Sequence, residues 1–275
     1  MTLSVQAVDF VYDDGSQVLN RVSMNFADHG VVGVVGANGC GKSTLFKILL
    51  GLYRPCHGEV LWQEKALAYS KKSLIEHRQR VTLVFQEPDQ QIFYTDVFDD
   101  IAFSLRNLGI DESEITRRVG HALSLVDGQS LVSKPVQYLS YGQKKRVAIA
   151  GALVLDSQYL LLDEPTAGLD PVGTRQMKSL IRSFASLGKH VVMSSHDINL
   201  IYELCDYVYV MSGGEVVSAG KPESVFLDKT SIENIGLEQP WLVRMHQELG
   251  MPLFRNEQEM KDWGISWMPG QKSTA

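Results

Sequence analysis

Gly36-Ala37-Asn38-Gly39-Cys40-Gly41-Lys42-Ser43-Thr44 is the stretch on which the reading of this chain turns. It follows the pattern Gly-x-x-x-x-Gly-Lys-[Ser/Thr], and its flanks fit a strand–loop–helix unit. The apolar, β-branched run Val31-Val32-Gly33-Val34-Val35 precedes it, and Leu45-Phe46-Lys47-Ile48-Leu49-Leu50 follows until Gly51 stops the helix. Such a unit aims successive backbone N–H groups and the positive end of a helix at a polyphosphate. Gly36, Gly39 and Gly41 let the backbone bend and approach where a Cβ would clash. Lys42 can reach the β- and γ-phosphates, and Ser43 can offer its hydroxyl to Mg²⁺. ATP and Mg²⁺ are the expected ligands, with Asn38, Gly39, Cys40, Gly41, Lys42, Ser43 and Thr44 as the phosphate-binding residues.

Three further apolar runs end, like the first, in polar chemistry. Val81 to Phe85 ends at Gln86, Tyr159 to Leu162 ends at Asp163-Glu164, and Val191 to Met193 leads to His196. In open α/β sheets ligands bind beyond the carboxyl ends of the parallel strands, so four neighbouring strands of this kind would converge on one nucleotide. Leu160-Leu161-Leu162-Asp163-Glu164 delivers two acids at such an end. Asp163 is the expected acidic partner of Ser43 for Mg²⁺. Glu164, one residue on, is the candidate to orient and deprotonate an attacking water.

The 275 residues suffice for one large α/β domain and a smaller addition. Turns are expected at Asp13-Asp14-Gly15 and His29-Gly30, and a helix from Ser73 to Arg80. Residues 96 to 155 read as mostly helical with a break at Lys134-Pro135. Strands and helices alternate from 159 to 211, and Gly213-Gly214 marks a hairpin. Beyond residue 221 the pattern changes. Trp241, Trp263 and Trp267 lie there, Trp241 to Leu249 has a helical apolar face, and Pro269 to Ala275 reads as frayed. The net charge of −6 offers no basic footprint, so no nucleic-acid partner is expected. Three scattered cysteines suggest a reducing compartment, and the histidines show no spacing that suggests zinc. No signal peptide is evident, and no apolar run reaches the roughly 18 residues of a membrane helix, so any membrane role would run through partners.

Leu139-Ser140-Tyr141-Gly142-Gln143-Lys144-Lys145-Arg146 breaks a local rule, because it opens the helix Val147 to Leu155 with three cations against the helix dipole. Local rules tend to be broken at functional sites. One reading is an anion arriving at this helix end, such as the γ-phosphate of an ATP held by another subunit; the other is a solvated basic turn.

With these motifs in place, residues 1 to 220 resemble the nucleotide-binding subunits of ATP-binding cassette (ABC) transporters. The resemblance implies an α/β fold, an ABC-type P-loop ATPase with a mixed sheet core. It also implies a helical signature subdomain at about 87–158 and a small C-terminal extension at 221–275. Leu139 to Gln143 resembles the signature Leu-Ser-Gly-Gly-Gln, with Tyr141 in place of its first glycine. By that resemblance Ser140, Gly142 and Gln143 meet ATP across a head-to-tail dimer, most naturally a homodimer. Gln86 matches the Q-loop glutamine, placed among both the catalytic groups and the metal ligands. His196 matches the switch histidine, Asp170 the D-loop aspartate, and Tyr12 the aromatic that stacks on adenine.

Phe85-Gln86-Glu87-Pro88-Asp89-Gln90-Gln91 further resembles the ATPases of energy-coupling factor (ECF) importers. There, the segment after the Q-loop receives helices of a transmembrane coupling subunit. The expected groove is near residues 86–100, where Asp89, Asp96, Asp99 and Asp100 would meet a partner's arginines or form a solvated acidic face. Gln90 to Asp96, Ile101 to Gly109 and Gln239 to Val243 are most similar to the cobalt-importing members. That implies substrate-capture membrane subunits as further partners, and a place on the cytoplasmic face of a bacterial inner membrane. The resemblance implies cobalt as the cargo of this ATP-hydrolysing subunit, although no residue reads the metal; nickel or a vitamin is the alternative, and a soluble cassette ATPase stands as the rival.

Overall fold

The structure is a computed structural model that describes residues 2–27 and 29–267, without the side chains of residues 265–267. The frayed end expected for Pro269 to Ala275 lies outside the described residues.

The chain opens with a hairpin, β1 (Leu3–Val11) and β2 (Gln17–Asn25). β3 (Val31–Val35) runs into the glycine loop and α1 (Lys42–Leu49). β4 (His57–Trp62), β5 (Lys65–Ala66), α2 (Lys71–Arg78) and β6 (Val81–Val84) follow. A 3-10 turn at Pro88–Gln90 leads to α3 (Val97–Asn107) and α4 (Glu112–Leu125). Two more such turns flank Lys134-Pro135 before α5 (Tyr141–Leu153). β7 (Tyr159–Asp163), α6 (Pro171–Ser186), β8 (His190–Ser195) and α7 (Ile198–Leu204) alternate, and β9 (Tyr207–Ser212) and β10 (Glu215–Gly220) form a hairpin. α8 (Pro222–Leu227), α9 (Lys229–Asn234), α10 (Trp241–Leu249) and α11 (Glu257–Trp267) complete the chain.

Two helices differ from the sequence expectation at both ends, each starting earlier and ending two residues sooner, at Arg78 and Leu153. α2 starts two residues before Ser73, because Ser70 adopts an extended backbone and its hydroxyl accepts the Ser73 N–H. α5 starts at Tyr141 rather than Val147. Ser140 accepts the Gln143 N–H while the Gln143 side chain accepts the Ser140 N–H, a reciprocal capping box.

Two sheets form the framework. β2-β1-β4-β5 is antiparallel, and β10-β9-β3-β8-β7-β6 is parallel except at the β10–β9 edge. The parallel strands read as unbroken apolar runs because both of their faces are covered. Side chains alternate between the faces, so Val32, Val34, Leu161 and Val192 join a core with α1 and the first sheet. Val31, Val35, Leu160, Leu162, Val191 and Met193 join the larger core formed by the helices. The C-terminal helices bury Phe226, Ile232, Leu242 and Val243 in that same larger core. Phe226 packs edge-on against Tyr202 of α7 at 6.1 Å, and the Arg255 guanidinium lies 5.1 Å over the same ring. The extension therefore covers apolar surface of its own chain.

Candidate functional site

β3, β8, β7 and β6 are adjacent, so the four strand ends singled out in the sequence lie side by side. Register places Val35 opposite Ser195, and Ser194 opposite Asp163. The phosphate loop, the two acids, His196 and Gln86 all follow from those ends.

The glycine loop is packed from behind. A Cβ at Gly36 would lie 2.3 Å from the Met211 carbonyl oxygen, and one at Gly41 would lie 2.9 Å from that of Val18. Gly41 has φ +104°, a conformation that favours glycine. Lys42 is buried, with Nζ donating to the carbonyls of Gly36 (2.7 Å) and Ala37 (3.2 Å) and lying 3.9 Å from Cys40 Sγ. Cys40 is buried, whereas Asn38, Gly39 and Ser43 are exposed. Tyr12 stands beside the loop, its hydroxyl 2.9 Å from Thr44 Oγ1 and its ring edge-on to Phe10 and Tyr53.

At the end of β7, Asp163 and Glu164 are both buried. The Ser194 hydroxyl donates to Asp163 Oδ1 at 2.5 Å and accepts the Glu164 N–H at 3.1 Å. Glu164 has φ +48°, a strained conformation that costs about 1–3 kcal/mol for a non-glycine residue. The two carboxylates have different partners, Ser194 for Asp163 and His196 for Glu164. His196 Nδ1 lies 2.8 Å from Glu164 Oε2, and Ser195 Oγ lies 3.4 Å from it. A fixed carboxylate with a histidine in contact suits a water-directing base. Exposed Ser43 and the free carboxylate oxygen of Asp163 are hard donors of the kind Mg²⁺ prefers.

The three cations at the start of α5 do not wait in solvent. Lys144 pairs with Asp89 at 2.6 Å, and Arg146 bonds the Asp127 carbonyl and the Gln176 side chain. Lys145 is 1% exposed, and its Nζ donates to the Gln86 (2.9 Å) and Glu164 (3.0 Å) carbonyls. Burial lowers this ammonium to about 8, against the pull of Glu87, Asp163 and Glu164. The reading as a solvated basic turn is thus corrected, because these charges have partners within the chain. Ser140, Gly142 and Gln143 line a cleft of about 460 Å³ with Gly168, Asp170 and Gln176, and no phosphate-loop residue reaches it. Asp170 caps α6 through the Gly173 N–H at 2.7 Å.

Gln86 is exposed beside the groove. The acids of that groove are also engaged internally. Asp89 holds Lys144, Asp99 holds Arg106 at 2.8 Å, and Asp96 accepts from Thr95 at 3.2 Å. Asp100 accepts the Phe93 and Tyr94 N–H groups at 3.0 and 3.1 Å, and burial raises its carboxyl. What the groove presents instead is aromatic. Phe93 is 64% exposed and lies 4.7 Å from Phe103 and 5.1 Å from Tyr94, centroid to centroid.

Sequence reasoning missed Lys145, Ser194 and Gln91 as individual residues. Gln91 accepts the Phe85 N–H at 3.3 Å and donates to the Ala148 carbonyl at 2.7 Å, fastening the segment after Gln86 to α5. The one signal available was the run of three cations near the start of α5.

Comparison with known proteins agrees with this geometry. The family model described as ABC transporter matches residues 19–167. The cobalt import ATP-binding protein CbiO of Salmonella typhimurium is 59% identical over 88% of this chain and 89% of its own length. The energy-coupling factor transporter ATP-binding protein EcfA of Methanocaldococcus jannaschii is 40% identical over 94% of this chain and 91% of its own. Among solved structures, cbiO1 from Clostridium perfringens, described as part of the ABC transporter complex cbiONQ, superposes with a TM-score of 0.75. It is 39% identical and covers 89% of this chain and 98% of its own.

Proposed function

Because this chain belongs to the ABC transporter family of ATP-binding subunits, we propose that it drives a cobalt importer of the energy-coupling factor type as one half of a head-to-tail dimer. The observation that carries the dimer is the separation of the two half-sites. Lys42, Asp163, Glu164 and His196 follow from adjoining strand ends, while Ser140 and Gly142 line a cleft that the phosphate loop does not enter. A second copy, turned end for end, would bring its signature helix to the first copy's nucleotide.

In this reading the phosphate-loop N–H groups and Lys42 bind the β- and γ-phosphates, and Tyr12 stacks on adenine. Lys42 exchanges the Gly36 and Ala37 carbonyls for phosphate oxygens. Ser43, Asp163 and Gln86 would hold Mg²⁺, which neutralises phosphate charge when bound. Ser194 keeps one oxygen of Asp163 occupied and so sets the direction of the other. Glu164, held by His196, orients the water and takes its proton. The N-terminus of α5 from the second copy places Ser140 and Gly142 against the γ-phosphate, where helix N–H groups favour an anion. ATP thereby favours the closed dimer, and hydrolysis reopens it. Closure displaces the groove at residues 86–100, where Phe93, Tyr94 and Phe103 would grip a transmembrane coupling subunit. No helix among the described residues is long and apolar enough to cross a membrane. The chain would act from the cytoplasmic face, beside substrate-capture membrane subunits. The 59% identity to a cobalt import protein supports cobalt as the cargo.

The test is metal uptake by cells carrying this chain with its membrane partners, wild type against Lys42→Ala, using radioactive cobalt with nickel as competitor. Cobalt uptake that depends on Lys42 is the expected result. Lys42-dependent uptake of nickel instead would change the cargo, and no dependence for either metal would overturn the transport role.

A further inference from the structure

Lys145 is a buried ammonium met by two backbone carbonyls rather than by a carboxylate. Removing an ammonium from water is costly, and two neutral acceptors return less of that cost than an ion pair would. The carbonyls belong to Gln86 and Glu164, two residues that the proposed reaction uses. Lys145 therefore grips the peptide of Glu164 at its carbonyl, while Ser194 grips the same residue at its N–H. Between those two holds the backbone of Glu164 stays at φ +48°, a conformation a glutamate would otherwise leave.

The other end of the connection is the start of α5. Lys145 lies in the second turn after Ser140, on a rigid helix that carries the signature residues at its tip. Tyr141 adds a second fastening. Its hydroxyl donates to the Gln86 carbonyl at 3.3 Å, and its ring packs on Gly168, where a Cβ would come within 2.6 Å of it.

We propose that Lys145 is a positioning residue that ties the signature helix to Glu164 and Gln86 of the same chain, so that the helix end meeting one nucleotide sets the aim of the base serving the other. This rests on the dimeric reading given above. An apolar residue of similar length can fill the space but cannot hold either carbonyl.

The experiment is steady-state ATP hydrolysis and equilibrium ATP binding by the assembled importer carrying Lys145→Met or Lys145→Arg, with melting temperature as the folding control. Lys145→Met leaves the Gln86 and Glu164 carbonyls without this donor, so a merely structural lysine would lower the melting temperature without changing kcat of the folded importer. Lys145→Met is expected to lower kcat by roughly 10–100-fold while KM and ATP affinity move by less than about threefold, as for a misaimed base. Lys145→Arg keeps a cationic donor and is expected to recover most of the loss. Turnover of Lys145→Met within about twofold of wild type, or Lys145→Arg no better than Lys145→Met, would overturn the proposal. Should Lys145→Met not fold, Tyr141→Phe gives the same reading through the Gln86 carbonyl. A lowered kcat at unchanged ATP affinity supports the tie, and unchanged kcat removes it. Lys42→Ala in the same assay separates the two levels. Turnover independent of Lys42 overturns the nucleotide-site reading beneath the proposal, whereas Lys42-dependent turnover indifferent to Lys145 removes the positioning role alone.

Discussion

At the scale of single residues, Glu164 concentrates the chemistry. It is 5% exposed, it follows Asp163, the acid proposed to hold the metal, and its backbone is left-handed. Its contact with His196 and its distance from bulk water suit proton abstraction from a water already in place. Glu164→Gln keeps the shape and can still bond His196, but it cannot take a proton. Turnover is therefore expected to fall by about 10²–10⁴-fold with ATP binding retained. Measured hydrolysis close to wild type would take Glu164 out of this role. Much of this was legible in sequence, since an apolar strand ending in Asp-Glu specifies where the acids emerge. The left-handed turn was not, because φ at Glu164 is set by Ser194 across the sheet rather than by its neighbours in the chain.

Individual elements show how charges read from sequence find partners within the fold. In sequence the basic start of α5 reads as meeting an anion or as a solvated turn, and the groove acids as meeting a partner's arginines or as a solvated face. In the fold Lys144 of α5 takes Asp89 of the groove, and within α3 Arg106 takes Asp99. Exposed ion pairs of this kind contribute about 0–1 kcal/mol each, so they set orientation more than stability. The element they leave open to a partner is the aromatic trio of Phe93, Tyr94 and Phe103, spaced 4.7 to 5.6 Å apart. Exposed aromatic clusters favour protein contacts, and a central one often carries more than about 1 kcal/mol of an interface. Phe93→Ala is expected to weaken copurification with the membrane subunits by about tenfold. Equal recovery of those subunits with wild type and Phe93→Ala would place the docking surface elsewhere.

For the molecule as a whole, α2 is fastened to the phosphate-loop helix by His77, whose Nε2 lies 2.7 Å from the Leu49 carbonyl. With a carbonyl as acceptor, Nε2 carries the proton, and the bond by itself favours the charged ring. Burial outweighs that bond and, with Arg78 and Arg80 nearby, lowers the pKa of His77 below its usual value of 6.5. The unfolded chain therefore binds a proton here that the folded chain resists, and stability falls as pH drops through about 6.5. Melting temperatures of wild type are expected to decline from pH 7.5 to 5.5 more steeply than those of His77→Gln. Parallel declines would show that His77 does not contribute to this acid sensitivity.

The phosphate loop, the acidic strand end and the signature helix were readable from the chain because each is a local device. Glycine freedom, strand alternation and the polarity of a helix start act within about ten residues. The adjacency of four strand ends followed from the rule for parallel sheets, and the structure bears it out. Two results needed the folded molecule: the burial of Lys145 and the internal use of the groove acids. A charged side chain is governed by what lies across the fold from it, and Lys145 meets a carbonyl 59 residues away in sequence. Hydrophobic pattern says which face of an element turns inward. Which carbonyl or carboxylate then meets a particular cation depends on distances that exist only once the layers are stacked.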